Sequence, residues 1–180
     1  MNKTIFCLLI LFTSCFHGGS QAETIYYEDS SDLSLTVAPD ILGPNGDNIR
    51  IDIAYGRYIR DNTALRLRLF HNVIEDIAPN DNDYKSQAVS FYYERHFSLG
   101  DKWSPYLGAS IGYRKTLFNN AKASSTTYGP LIGIKYHLSE RAALDFSVDY
   151  FLSDKKIFLV DFEPEDTVVS LGIGFRLFFQ

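Results

Sequence analysis

Charged side chains recur at alternate positions within apolar stretches of this sequence, and they are the residues best suited to chemistry. Six of them form one candidate site: Arg66, Arg68, Glu94, Lys135, Asp145 and Arg176. Charges held away from bulk water must be paired or hydrated. Brought together by the fold, these six would form either a structural network of ion pairs or a narrow path for ions or protons.

Histidines, cysteines and acidic clusters give no comparable site. The four histidines are dispersed without metal-ligand spacing, and both cysteines, Cys7 and Cys15, lie near the N-terminus. Acidic residues gather at 75–83 and 161–166; we interpret them as solvated rims, with loose binding of divalent cations as the alternative. We expect no resident metal and no cofactor, and the net charge of −5 gives nucleic-acid binding no electrostatic support.

Eight segments with period-two alternation must position the six charges. In one of them, Leu144, Phe146 and Val148 alternate with the polar residues Asp145, Ser147 and Asp149. Such alternation indicates β-strands with one apolar and one polar face. The other segments begin near residues 33, 49, 65, 89, 103, 130 and 169.

Segment length and aromatic placement favour a membrane barrel over a soluble sandwich. Most segments run for about ten residues or more, the length that a tilted strand needs to cross a bilayer. Aromatic residues gather toward segment ends, as interfacial girdles require; they include Trp103, Tyr113, Tyr128, Tyr136, Tyr150, Phe175 and Phe179. We therefore predict an all-β fold, an eight-stranded antiparallel up-and-down transmembrane β-barrel.

The connections between segments alternate in length, which predicts the orientation. Those at 60–62, 99–102 and 139–140 are short, whereas those at 75–85, 116–126 and 153–166 are long. Outer-membrane barrels have short periplasmic turns and longer outer loops. We expect the short turns and both termini of the mature chain to face the periplasm, which requires an even number of strands.

The first 22 residues have the three parts of a cleaved secretory signal. Lys3 supplies a positive charge, residues 5–16 are uncharged and mostly apolar, and Ser20-Gln21-Ala22 fits a small-x-small cleavage site. We therefore expect a signal peptide at 1–22, one barrel domain at 23–180, and export to the outer membrane.

Two motifs resemble those of a known family. Residues 103–113, Trp-Ser-Pro-Tyr-Leu-Gly-Ala-Ser-Ile-Gly-Tyr, are similar to the R-P-Y-x-G-x-G-x-G-Y strand of the small outer-membrane β-barrels of the OmpX, Ail and opacity type. Residues 133–145 resemble the strand-turn-strand of the same family. The resemblance implies an eight-stranded barrel inserted by the barrel-assembly machinery, but no particular activity. These barrels commonly end in an aromatic residue, whereas here Phe179 is followed by Gln180.

A histidine–serine pair gives the nearest approach to a catalytic motif. His137-Leu138-Ser139 resembles the His-x-Ser-Asn motif of lipid A deacylases, but Glu140 stands where the motif has Asn. A catalytic group must reach its substrate, and this pair falls at a predicted periplasmic turn. We expect no catalysis, with a lipid A-modifying enzyme (deacylase or acyltransferase) as the alternative.

The lumen is predicted to be filled. Eight strands leave an interior just wide enough for side chains, and the six charges all fall three to five residues from the periplasmic end of their strands. We expect one layer of ion pairs, with Asp145 between Lys135 and Arg176, and with Glu94 beside the strand of Arg66 and Arg68. A narrow channel is the second alternative, which long arginine side chains would occlude.

The predicted outer loops are the surface through which we expect the protein to interact with its partners. Four apolar residues at 157–160 interrupt the last of them; we interpret them as an extension of the barrel wall, with an exposed adhesive edge as the alternative. The expected function is structural or surface interaction in the outer membrane. The expected partners are membrane lipid, lipopolysaccharide and a surface ligand that the sequence does not identify.

Overall fold

Eight long strands close into one antiparallel barrel in the computed structural model. The structure describes Tyr26 and residues 28–38, 47–77, 82–118, 121–160 and 163–179, so the expected signal peptide at 1–22 lies outside the described residues. The strands are β1 (Ser31–Ala38), β2 (Asp47–Arg60), β3 (Thr63–Ile77), β4 (Asn82–His96), β5 (Trp103–Phe118), β6 (Ala121–Ser139), β7 (Ala142–Ser153), β8 (Phe158–Val160), β9 (Glu163–Glu165) and β10 (Thr167–Phe179). The described residues contain no helix long and apolar enough to cross a membrane.

The barrel closes where its first and last long strands meet. The neighbours run β1-β10-β7-β6-β5-β4-β3-β2, and β1 pairs with both β10 and β2, so no long strand is left at an edge. The start of β1, the end of β10 and the three short connections share one end, which we name the turn end. The opposite end, where Ile77 pairs with Asn82 and Phe118 with Ala121, is the hairpin end. The predicted eight-stranded up-and-down barrel is confirmed.

The outer face is an apolar belt bounded by aromatic side chains. Outward residues such as Leu69, Phe91 and Ile111 expose more than half of their surface, which a water-soluble protein rarely allows over so wide an area. On β5 the belt runs from Trp103 to Tyr113, or about 33 Å along the strand. Strands in such barrels are tilted by about 40°, which reduces this length to about 25 Å, the height of an outer-membrane apolar band.

Two of the three predicted long loops are mostly strand. Pairing of β3 with β4 continues to Ile77 and Asn82, and pairing of β5 with β6 continues to Phe118 and Ala121. The predicted loops at 75–85 and 116–126 are therefore longer than the connections in the structure. Beyond the aromatic level the outward positions no longer need apolar side chains, so the alternation that marks a membrane strand fades while the hydrogen-bond ladder continues.

The third predicted loop folds back into the barrel. Between β7 and β10, the short hairpin of β8 and β9 forms its own two-stranded sheet. Ile157 and Phe158 are buried, with 3% and 2% of their surface exposed, and they pack with Tyr92, Leu131 and Phe151. The interpretation of 157–160 as an extended barrel wall is wrong for these two residues, because apolar side chains at the mouth of the lumen bury them.

Candidate functional site

The lumen at the turn end is closed by a tyrosine that precedes the first strand. The Tyr26 ring stacks on Tyr58 with 4.6 Å between centroids, and its hydroxyl shares a 2.9 Å hydrogen bond with His137 Nε2. Its backbone N–H donates to Asn62 Oδ1 over 3.1 Å, and its carbonyl accepts from Asn62 N–H. Burial raises the pKa of the Tyr26 phenol, which keeps the hydroxyl protonated and able to donate.

Lys135 lies directly above this cap in an aromatic cage. Its side chain is fully buried, and Nζ lies 4.6 Å from the Tyr26 ring centroid and 5.3 Å from that of Tyr106. Nζ also donates to the Tyr58 hydroxyl (3.2 Å) and contacts His96 Nδ1 (3.3 Å). Cation–π contact therefore surrounds the ammonium group. The backbones of Lys135 and Asp145 pair, but no ion pair joins their side chains.

The middle of the lumen holds a network of two arginines and three carboxylates. Arg66 pairs with Asp32 (2.7 Å) and with Glu94 (3.4 Å). Arg176 donates to Glu94 (2.9 Å) and, through Nε, to Asp145 (2.6 Å). All five side chains are almost fully buried. Because each partner comes from a different strand, the network ties β1, β3, β4, β7 and β10 across the barrel interior.

Arg68 belongs to a second group, nearer the hairpin end. Its guanidinium pairs with Asp52 and with Asp149 (3.1 Å) and donates to the Tyr92 hydroxyl (2.9 Å). The expected single layer of six charges is thus divided into the Arg66–Arg176 network, the Arg68 group and the caged Lys135. Arg66 and Arg68 lie two residues apart on one face of β3, which is enough to place them at different heights.

The space left between these groups is small. A cavity of about 30 Å³ lies among the side chains of both arginine groups, including Ser34, Asp52 and Ser147. It holds on the order of one or two water molecules. A cavity of this size hydrates the charges without giving a larger solute a place to bind.

Aromatic side chains close the mouth at the hairpin end. The Arg114 guanidinium lies over the rings of Phe70 (4.3 Å), Phe158 (4.9 Å) and Phe151 (5.3 Å). The Phe158 ring comes from the β8–β9 hairpin, so the connection that follows β7 forms a lid. The lumen is therefore obstructed at the turn end, in the middle and at the hairpin end.

Asp32 and Tyr26 are among the interior residues that were not predicted as part of the site. Asp32, Ser34 and Thr36 alternate with the apolar residues of β1, and that alternation was signal enough to place Asp32 inside. Tyr26 stands beside Tyr27 before the first strand, and the sequence around it does not indicate that its side chain closes the lumen. Its place depends on the β2–β3 turn, where Asn62 has a left-handed backbone (φ 58°).

The histidines belong to no metal-ligand group among the described residues. His137 lies at the turn end against Tyr26, far from the outer leaflet in the predicted orientation. His71 is exposed, with Gln87 Nε2 3.4 Å from its Nδ1. In the part of the chain that the structure describes, no three His, Cys, Asp or Glu side chains are placed to hold a metal ion.

Solved structures share this fold. The N-terminal β-barrel domain of Pseudomonas aeruginosa OprF is 16% identical with a TM-score of 0.60, over 86% of this chain and all of that one. Neisserial surface protein A is 20% identical with a TM-score of 0.54, over 82% and 94%. Ail, the attachment invasion locus protein of Yersinia pestis, is 18% identical with a TM-score of 0.52, over 84% and 99%. No family model and no curated protein matches the chain. The chain has the fold of these small eight-stranded barrels.

Proposed function

We propose that this chain is an exported outer-membrane protein whose closed barrel serves as an anchor for a surface-binding function at its hairpin end. The observation that carries the proposal is the pairing of an apolar outer belt with a polar, filled lumen. That arrangement stabilises a barrel in lipid. The segment 1–22 acts as the cleaved signal, and the barrel-assembly machinery inserts the chain.

The hairpin end supplies the surface for binding. Beyond Tyr113 at the upper aromatic level, β5 continues for five residues to Phe118, or about 16 Å along the strand. The neighbouring β3, β4 and β6 continue with it. Four paired strands give a rigid platform above the membrane, and a rigid scaffold suits recognition. Ail, which has this fold, has been crystallised with the heparin analogue sucrose octasulfate, which supports a binding role for a barrel of this kind.

Transport and catalysis fit the geometry less well. Ion conduction would require the buried Arg66–Arg176 network and the Arg68 group to separate, at the cost of leaving buried charges without partners. A lipid A-modifying enzyme would need its catalytic groups at the outer leaflet, whereas His137 is hydrogen-bonded to Tyr26 at the turn end. We therefore propose a non-catalytic role.

The test uses a shortened platform. Because Thr116 pairs with Ala123, residues 117–122 can be replaced by Asn-Gly, the two-residue connection that suits a hairpin. Cells of a Gram-negative host that express the native protein should adhere to immobilised matrix proteins or heparin above the empty-vector level. The shortened variant should lose most of that adhesion.

A matched control carries Asn-Gly at residues 100–101, in a connection at the turn end, and should adhere like the native protein. Folding of all three proteins is checked by heat-modifiable gel mobility of the membrane fraction. Equal adhesion of folded native and shortened proteins, or no adhesion by either, would overturn the surface-binding role. A protein that is water-soluble without detergent would overturn the membrane placement as well.

A further inference from the structure

The β8–β9 hairpin covers the mouth of the barrel without joining its wall. β8 pairs with β9 in a sheet of two strands that is separate from the barrel. Among the described residues 157–160 and 163–165, one hydrogen bond reaches the wall: the Tyr84 hydroxyl donates to the Ile157 carbonyl over 3.3 Å. The other contacts are the packing of Ile157 and Phe158. A hairpin held in this way can leave the mouth while the barrel stays intact.

Two buried oxygen atoms beneath the hairpin have no hydrogen-bond partner in the part of the chain that the structure describes. They are Asn72 Oδ1 on β3 and Ser86 Oγ on β4. The two residues pair across the ladder, and both side chains are more than nine-tenths buried. Because buried polar groups are almost always hydrogen-bonded, this pair is a place where a molecule with hydroxyl donors would be held.

The strand register places this pair at the level of the hairpin. Ser86 pairs with Thr116 on its other side, and Thr116 pairs with Ala123. Ala123 packs against the cluster that contains Ile157. Tyr84, which donates to Ile157, is the next inward residue of β4 toward the hairpin end. The two oxygens therefore face the space that the hairpin covers.

Aromatic rings line the other side of this space. The Phe158 ring lies 6.4 Å from the Phe151 ring between centroids and 4.9 Å from the Arg114 guanidinium. That guanidinium also lies over Phe70, at 4.3 Å. Phe70 is the inward residue next to Asn72 on β3, about 7 Å away along the strand. A flat six-membered ring therefore already occupies this position, close to the two oxygens.

The chemistry of this space suits a sugar ring. We name it the mouth pocket and define it as the space that Phe158 fills between Phe70, Phe151, Asn72 and Ser86. A pyranose has the six-membered outline of the phenylalanine ring, C–H faces that pack on aromatic rings, and hydroxyl groups around its edge. A few placed polar groups in an apolar pocket are typical of small-molecule sites. A wholly apolar molecule would leave both oxygens without donors, which is unfavourable.

We propose that the mouth pocket binds one uncharged pyranose ring, either a free sugar or the terminal unit of a glycan, in place of the Phe158 ring. Asn72 and Ser86 accept hydrogen bonds from its hydroxyl groups. The hairpin competes with the sugar for the pocket and must lift to admit it. This inference rests on the proposed surface-binding function and names the chemistry of its ligand.

The test measures sugar binding to the folded native chain and to three variants. N72L/S86A removes both acceptor oxygens with little change in volume, and F158G removes the competing ring. The matched control, S104A/S147A, removes two hydroxyls from the inward face nearer the turn end. The detergent is an amine oxide, because glucoside and maltoside detergents carry a sugar ring of their own.

The probes separate the ring from its hydroxyl groups and a free sugar from a chain end. They are glucose, galactose and mannose, the methyl glycoside of each, and cyclohexylmethanol, which has a six-membered ring with a single hydroxyl. The readout is the Kd by saturation-transfer NMR, and heat-modifiable gel mobility checks that each variant is folded.

For at least one of the three sugars, we expect N72L/S86A to bind about tenfold more weakly than the native chain. F158G should bind it about tenfold more tightly, because no side chain competes, and the control should match the native chain. A methyl glycoside that binds like the free sugar identifies a chain end as a source, and loss of binding on methylation identifies the free sugar.

Equal affinity of N72L/S86A and the native chain overturns the proposal, as does equal weakening in the control. Weaker binding by F158G overturns the competition, and cyclohexylmethanol binding as tight as sugar binding overturns the commitment to a sugar. Absence of sugar binding by both native chain and F158G also overturns it. If cells then still adhere through residues 117–122, the surface-binding function stands and this inference alone fails.

Discussion

Loss of the Arg176 guanidinium should be far more damaging than loss of an exposed arginine. Replacing Arg176 by Met keeps the volume of the side chain but leaves Asp145, previously 2.6 Å from Nε, and Glu94 without that partner. Removing one member of a buried pair costs about 3–5 kcal/mol, because the remaining charge stays buried. Glu94 keeps its contact with Arg66 at 3.4 Å, so most of the loss should arise at Asp145.

A double variant separates lost charge from lost packing. In R176M/D145N the unpaired carboxylate is removed, and we expect it to recover about 2 kcal/mol relative to the sum of the two single variants. The assay is urea unfolding in lipid vesicles, followed by the fluorescence of Trp103, the single tryptophan of the chain. Its ring packs on Tyr136 with 4.7 Å between centroids, so unfolding changes its surroundings.

The control for this prediction is Arg57→Met. Arg57 pairs with Asp29 over 2.8 Å, but the side chains of the two residues are 62% and 77% exposed. Pairs of this kind contribute little, so the unfolding midpoint should stay at its native value. An R176M protein as stable as the native protein, or as the Arg57 control, would refute the view that each buried charge of the lumen network needs its partners for the barrel to be stable.

Three further outcomes follow from the closed lumen and can be measured directly. Tyr26→Ala should lower the free energy of unfolding by about 3–5 kcal/mol, the usual cost of deleting a buried aromatic ring, in the same urea titration; an unchanged midpoint would show that the cap is dispensable. Gly133→Val should prevent the heat-modifiable folded band, because a Cβ at this position overlaps the Tyr106 ring; a normal band would mean that the ring can move aside. Deleting residues 154–165 should leave planar bilayers without conductance, because Arg68 and Arg176 still obstruct the bore; resolved channel steps would favour the channel instead.

The sequence predicted the strands of the barrel wall better than the arrangement of the side chains in the lumen. The alternation of Leu144, Phe146 and Val148 with Asp145, Ser147 and Asp149 reflects a physical requirement on every membrane strand, so it fixes which face is outward. The heights of Arg66 and Arg68 could not be predicted in the same way. They depend on the stagger between strands, which a pattern along one strand does not contain.

The ends of the barrel were the least predictable part. Residues 116–126 carry few outward apolar side chains, so they were interpreted as a loop, although their backbones pair as far as Phe118 and Ala121. Ile157 and Phe158 are apolar residues in a mostly polar connection. Their apolar side chains favour burial, but the sequence does not show which part of the barrel buries them.

The lumen network has a consequence for how the barrel enters the membrane. Arg176 and Glu94 are 82 residues apart in the chain, Arg68 and Asp149 are 81 apart, and Arg66 and Asp32 are 34 apart. A partly assembled sheet would present these charges to hydrocarbon with their partners still missing, which is costly. Insertion strand by strand is therefore disfavoured. We infer that the buried charges all gain their ion-pair partners only when β10 joins β1, in a single concerted step.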